Sequence, residues 1–126
     1  MIHVLLVDDD VQFTGLVAPQ LRKAKLEVTV ANSAAEALSV LRYTTPSVIL
    51  LDLNMPEFDG KQVLGFLQRS VEHCTIPVIV VTACEGDDCT EAIQKGAFTV
   101  LSKTGSSMKQ LIDYIRHVTA DDAAAA

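Results

Sequence analysis

No apolar run in this 126-residue chain approaches the roughly 18 residues of a bilayer-spanning helix, so a membrane span is not expected. Met1 and Ile2 lead directly into Val4 to Val7 and three aspartates, without the basic flank and small-residue cleavage site of a secretory signal. The expected setting is therefore cytoplasmic. Cysteine is scarce: Cys74, Cys84 and Cys89 are odd in number and show neither C-x-x-C nor Cys/His ligand spacing. That pattern argues against a disulfide framework or a zinc site and leaves free thiols. Positive charge is scarce too, giving a formal net charge of −6 with no local Lys/Arg cluster. Neither nucleic acid nor anionic lipid is expected as a partner. The first apolar run is not followed by a Gly-rich phosphate loop, which argues against a flavin or nucleotide carrier.

What is present is enough for one domain, with 49% hydrophobic and 21% charged residues. No internal repeat or low-complexity linker interrupts residues 1–120, and Asp121 to Ala126 reads as a disordered tail or linker remnant. Five short apolar runs rich in β-branched residues predict strands: Val4 to Val7, Val28 to Val30, Val48 to Leu51, Val78 to Val81 and Phe98 to Leu101. Between them, helical spacing joins Phe13, Leu16, Val17, Leu21 and Ala24, then Ala34, Ala37, Leu38 and Leu41. It recurs in Val63, Leu64, Leu67 and Val71, and finally in Met108, Leu111, Ile112 and Ile115. A weaker pattern covers Asp87 to Lys95.

Ser33 with Glu36, and Ser107 with Gln110, have capping-box spacing. Pro19 lies inside the first helix, where it must lose the bond to the Gly15 carbonyl and should kink the axis. The βα alternation predicts an α/β, doubly wound, five-stranded parallel sheet with helices on both faces. The first, third and fourth runs, apolar on both sides, belong at its centre.

In such a sheet, ligands bind beyond the carboxyl ends of the strands, where strand order reverses. The first strand runs into Asp8, Asp9 and Asp10, and the third into Asp52. Carboxylates converging at one rim disfavour each other's charge unless a cation compensates. Mg²⁺ suits the task, because it takes one or two protein carboxylates together with waters and phosphate oxygens. Asp10 is expected in the first turn of the first helix, near the positive end of its dipole. The fourth strand ends in Thr82 and Ala83, the fifth in Ser102 and Lys103. A hydroxyl and an ammonium at that rim can bond the equatorial oxygens of a transferred phosphoryl group.

With these residues in place, the chain resembles the receiver domains (CheY-like) of two-component response regulators, from Ile2 to about Val118. The matching pieces are VLLVDDD (Val4 to Asp10), VILLDLNMPEFDG (Val48 to Gly60), PVIVVTA (Pro77 to Ala83) and GAFTVLSKT (Gly96 to Thr104). The resemblance implies the flavodoxin-like strand order 2-1-3-4-5, with residues 1–120 as the receiver domain. It implies that Asp52 is the phosphoacceptor. Asp9, Asp52 and the Asn54 carbonyl would be metal ligands, with Asp8 acting largely through water. Mg²⁺, or Mn²⁺ in its place, is the implied cofactor. Thr82, Ala83 and Lys103 would stabilise the phosphoryl group, and Met55, Pro56 and Gly60 would form the turn after the acceptor. The implied phosphodonor is a histidine kinase or phosphotransfer protein. The implied output is a changed surface on the last helices and the fifth strand, read by a downstream target protein.

Two positions depart from the family pattern. Val100 stands where an aromatic residue usually lies three before the lysine, and Thr104 stands where proline usually follows it. A cis bond to a nonproline costs ~2.5 to 4 kcal/mol, so a trans bond and an altered loop are expected there. Asn54 and Cys84 occupy positions that tune hydrolysis in the family. A rival reading is a binding module of the same fold without phosphorylation switching. An aspartyl phosphatase is a further rival, but Asn54 stands where its second acid would be needed.

Overall fold

Residues 2–52, 60–71, 74–82, 99–102 and 107–125 are described by the computed structural model. Among them the order is β1 (His3–Val7), α1 (Val11–Lys23), β2 (Glu27–Ala31), α2 (Ala34–Tyr43), β3 (Val48–Leu51), α3 (Gly60–Arg69), β4 (Val78–Thr82), β5 (Thr99–Ser102) and α4 (Met108–Ala125). All strands are parallel, in one sheet of order β2-β1-β3-β4-β5. Fold class and strand order therefore match the expectation. The weakly patterned helix at Asp87 to Lys95 lies outside the described residues.

The alternation of side chains along each strand divides the interior into two cores. Leu5, Val7, Ile49, Leu51, Val78 and Val80 face α2 and α3, meeting Ala34, Ala37, Leu41, Val63, Leu64 and Leu67. Their chain neighbours Val4, Leu6, Val48, Leu50, Ile79 and Val81 face the other way, onto Val17, Ala18 and Leu21 of α1 and Leu111 and Ile115 of α4. The central strands are buried on both faces for this reason, β3 along its whole length.

Helix ends follow their side chains. Asp10 is the N-cap of α1 rather than a first-turn residue, and its carboxylate accepts from Gln12 N–H at 3.1 Å and Phe13 N–H at 3.2 Å. Ser33 caps α2 by accepting from Glu36 N–H at 3.1 Å, but Glu36 Oε2 accepts from Asn32 N–H at 2.6 Å, one residue further out than a reciprocal box. At Ser107 and Gln110 the box is reciprocal, with bonds of 2.9 and 3.2 Å. α1 continues through Pro19, which is exposed. The chain turns out of α1 at Lys25, whose φ of 68° lets Lys25 N–H reach the Arg22 carbonyl and Leu26 N–H the Leu21 carbonyl.

Two apolar positions correct the expected helix faces. Leu16 is 67% exposed, because the buried face of α1 runs through Thr14, Val17, Ala18 and Leu21. Val71 is 92% exposed, because α3 stops at Arg69 and Ser70 N–H closes a tighter turn on the Leu67 carbonyl. α4 runs to Ala125, across most of the segment expected as a tail, in keeping with the helix propensity of alanine.

Candidate metal centre

The pairing Val7↔Leu51 brings the carboxyl ends of β1 and β3 side by side, so the next residue of each, Asp8 and Asp52, is an acid beside an acid. The ladder extends to hold both: Asp8 N–H donates to the Ala31 carbonyl at 3.0 Å, and Asp52 N–H to the Val7 carbonyl at 2.9 Å. Asp8, Asp9 and Asp52 each present a carboxylate oxygen, and these oxygens lie within 4.8 Å of one another. Asp8 is 1% and Asp52 5% exposed; Asp9 is the most open of the three.

Each ionised pair at such a separation repels by roughly 3 to 4 kcal/mol at an effective dielectric of about 20. A shared cation removes that repulsion. The donor set is oxygen only, which fits a hard divalent ion and disfavours the soft metals that choose thiolate.

Of the other predicted site residues, Thr82 is the last residue of β4, in register with Ser102 of β5. Val100 lies in β5, paired with Val80. Gly60 opens α3. Asn54, Met55, Pro56, Ala83, Cys84, Lys103 and Thr104 lie outside the described residues, as do Cys89 and His73. His3 sits away from the acids: its Nε2 lies 2.8 Å from Thr29 Oγ1, and it begins β1 whereas the acids follow the end of that strand. His117 lies on α4, and Cys74 is an exposed free thiol.

Asn32 was not among the residues expected at the site. Its Nδ2 donates to the Asp8 backbone carbonyl at 2.9 Å and lies 3.4 Å from Thr14 Oγ1, joining the loop after β2 to the loop that carries the acids. An asparagine after an edge strand reads as a turn residue. Only the adjacency of β1 and β2 places it beside Asp8.

Comparison with known proteins gives the family and the fold. The model of the response regulator receiver domain family matches residues 4–116. An uncharacterized 14.6 kDa protein of Leptolyngbya boryana is 34% identical over 95 residues, which is 75% of this chain and 72% of that protein. The transcriptional regulatory protein GlrR of Escherichia coli is 36% identical over 102 residues, 80% of this chain but only 22% of its own length. This chain thus spans about a fifth of that longer regulator. Among solved structures, the receiver domain of Francisella response regulator 1452 superposes with a TM-score of 0.88 at 25% identity, covering 97% of this chain and 99% of that one. A receiver domain protein of Clostridium thermocellum, at 22% identity and TM-score 0.89 with 100% coverage of both chains, shares the fold. Among the described residues no helix is long and apolar enough to cross a membrane.

Proposed function

The chain belongs to the response regulator receiver domain family, and from that premise we propose that Asp52 accepts a phosphoryl group from the phosphohistidine of a histidine kinase or phosphotransfer protein. The observation that carries this reading is the convergence of Asp8, Asp9 and Asp52 within 4.8 Å at the carboxyl rim of the sheet. An Asp52 carboxylate oxygen attacks phosphorus, the P–N bond breaks, and the imidazole departs with that bond's electron pair. With acetyl phosphate as donor, a P–O bond breaks and acetate leaves. The product is an acyl phosphate that water later hydrolyses, so the protein acts as a signal carrier rather than a multiple-turnover enzyme.

Asp8, Asp9 and Asp52, with the Asn54 carbonyl, are the residues to hold Mg²⁺, or Mn²⁺ in its place. The ion supplies positive charge for the phosphoryl oxygens. Burial of Asp8 and Asp52 restrains their carboxylates and limits the approach of bulk water. Thr82 as a hydroxyl donor, the Ala83 backbone N–H and the Lys103 ammonium complete the charge compensation. Asn54 and Cys84 set the pace of hydrolysis.

Phosphorylation adds about −1.5 to −2 charge. Drawing Thr82 and Lys103 toward it shifts the population of surfaces on β5 and the last helices, which a downstream protein reads. Residues 1–120 form the receiver unit, acting in the cytoplasm, and α4 carries the chain on past that unit to Ala125. The net charge of −6 supports a protein target over nucleic acid for this domain.

Val100 and Thr104 support a second reading, a receiver-like binding module without the switch. Mg²⁺ and acetyl phosphate treatment, followed by intact mass and backbone amide shifts, separates the two. A phosphoryl mass gain in the wild type, absent in Asp52→Asn and accompanied by shifts in α4, supports the first. Mass gain without shifts in α4 supports the second. No mass gain overturns phosphoryl capture.

A further inference from the structure

The geometry points to Asn32 as a positioning residue that sets the Asp8–Asp9 peptide for cation binding. This inference rests on the reading of the acidic cluster as a metal centre. Three hydrogen bonds are among those that hold Asp8: its N–H donates to the Ala31 carbonyl at 3.0 Å, its carbonyl accepts from Asn32 Nδ2 at 2.9 Å, and its Oδ1 accepts from Asp10 N–H at 2.9 Å. The first bond belongs to the sheet and the third to the turn into α1. The second is donated by a side chain, and it fixes the plane of the peptide joining Asp8 to Asp9.

That plane matters because it carries Asp9, the ligand that burial holds least. A buried carboxylate keeps its place by packing, whereas a more open one depends on its backbone. Asn32 can hold that backbone because it is itself anchored. Its N–H donates to Glu36 Oε2 at 2.6 Å, so the first turn of α2 holds the residue while its amide reaches across to the acids. The carbonyl of Asp8 can only accept, so the Asn32 amide must present its NH₂ there, and the same NH₂ lies 3.4 Å from Oγ1 of the buried Thr14. Side chains that orient metal ligands in this indirect way typically change affinity by about 10- to 100-fold when removed.

The test compares Asn32→Ala with Ser33→Ala by titrating the full chain with Mg²⁺ in the absence of any phosphodonor, following the amide signals of Asp9 and Asp52. Ser33→Ala removes the N-cap of the same helix, where Ser33 Oγ accepts from Glu36 N–H at 3.1 Å, and leaves the Asn32 amide in place. It therefore reports what loosening α2 alone does. Asn32→Ala should raise the Mg²⁺ Kd roughly 10-fold and speed amide exchange at Asp9, while Ser33→Ala leaves the Kd within about twofold. Circular dichroism checks that both variants fold. An Asn32→Ala Kd within about twofold of wild type, or an equal rise in both variants, overturns the inference. Because no phosphodonor is present, failure of Asp52 to be phosphorylated would be seen separately and would leave this result standing. Absence of any Mg²⁺ response in the wild type would instead overturn the metal centre and this inference with it.

Discussion

Asp52 is legible in the sequence because it breaks a run, following four fully apolar residues that the sheet buries on both faces. Asp8 and Asp9 are legible for the same reason at the end of β1. Asp10, drawn from the same triplet, belongs to the helix instead, since its carboxylate is committed to Gln12 and Phe13 N–H. Adjacent identical residues thus divide between acidic cluster and helix cap according to which backbone each one meets. Asn32 was illegible, because its partner lies 24 positions away across a strand pair. Lys25 was equally hidden. A positive φ leaves no mark on a lysine, yet its value of 68° places it where glycine is favoured. Lys25→Gly should stabilise the protein by about 1 kcal/mol, read as a higher urea midpoint at unchanged m-value. A lower midpoint would mean that the lysine side chain contributes more than its backbone strain costs.

At the scale of elements, period located the helices and most of the positions they bury, and it failed at Leu16 and Val71. Ser107 with Gln110 closes a reciprocal box as its spacing required, whereas Glu36 reaches past Ser33 to Asn32. In α1 the apolar positions in helical spacing include Leu16, but the buried face is Thr14, Val17, Ala18 and Leu21. A small polar residue with its hydroxyl turned to the Val11 carbonyl at 3.2 Å packs as readily as an apolar one, and simple hydropathy misses it. Gly15 lies on the outer side of this helix, where a Cβ would meet nothing within 4 Å. Gly15→Ala should therefore stabilise α1 by about 0.5 to 1 kcal/mol, through the lost backbone freedom of the unfolded chain. Thermal unfolding checks it. A fall in Tm would show that Pro19, one turn on, needs the glycine's freedom.

For the whole molecule, alternation of strand and helix was enough to predict the doubly wound sheet, and five parallel strands in order β2-β1-β3-β4-β5 are found. The order itself came from family resemblance, since periodicity does not say which strands are neighbours. That order is what gathers acids from β1 and β3 into one cluster, so a local ligand acts on global stability. A cation that binds only the folded chain should stabilise it by about 2.7 kcal/mol at about 100 times its Kd. Urea unfolding with Mg²⁺ or with a chelator should show that increment in the wild type and lose it in Asp9→Ala. An increment of equal size in Asp9→Ala would remove Asp9 from the ligand set.

The most direct measurement is intact mass after incubation with Mg²⁺ and acetyl phosphate, made on the wild type and on Asp52→Asn. The wild type should gain the mass of one phosphoryl group, and Asp52→Asn should gain none. Equal labelling of both proteins would contradict the assignment of Asp52 as the acceptor.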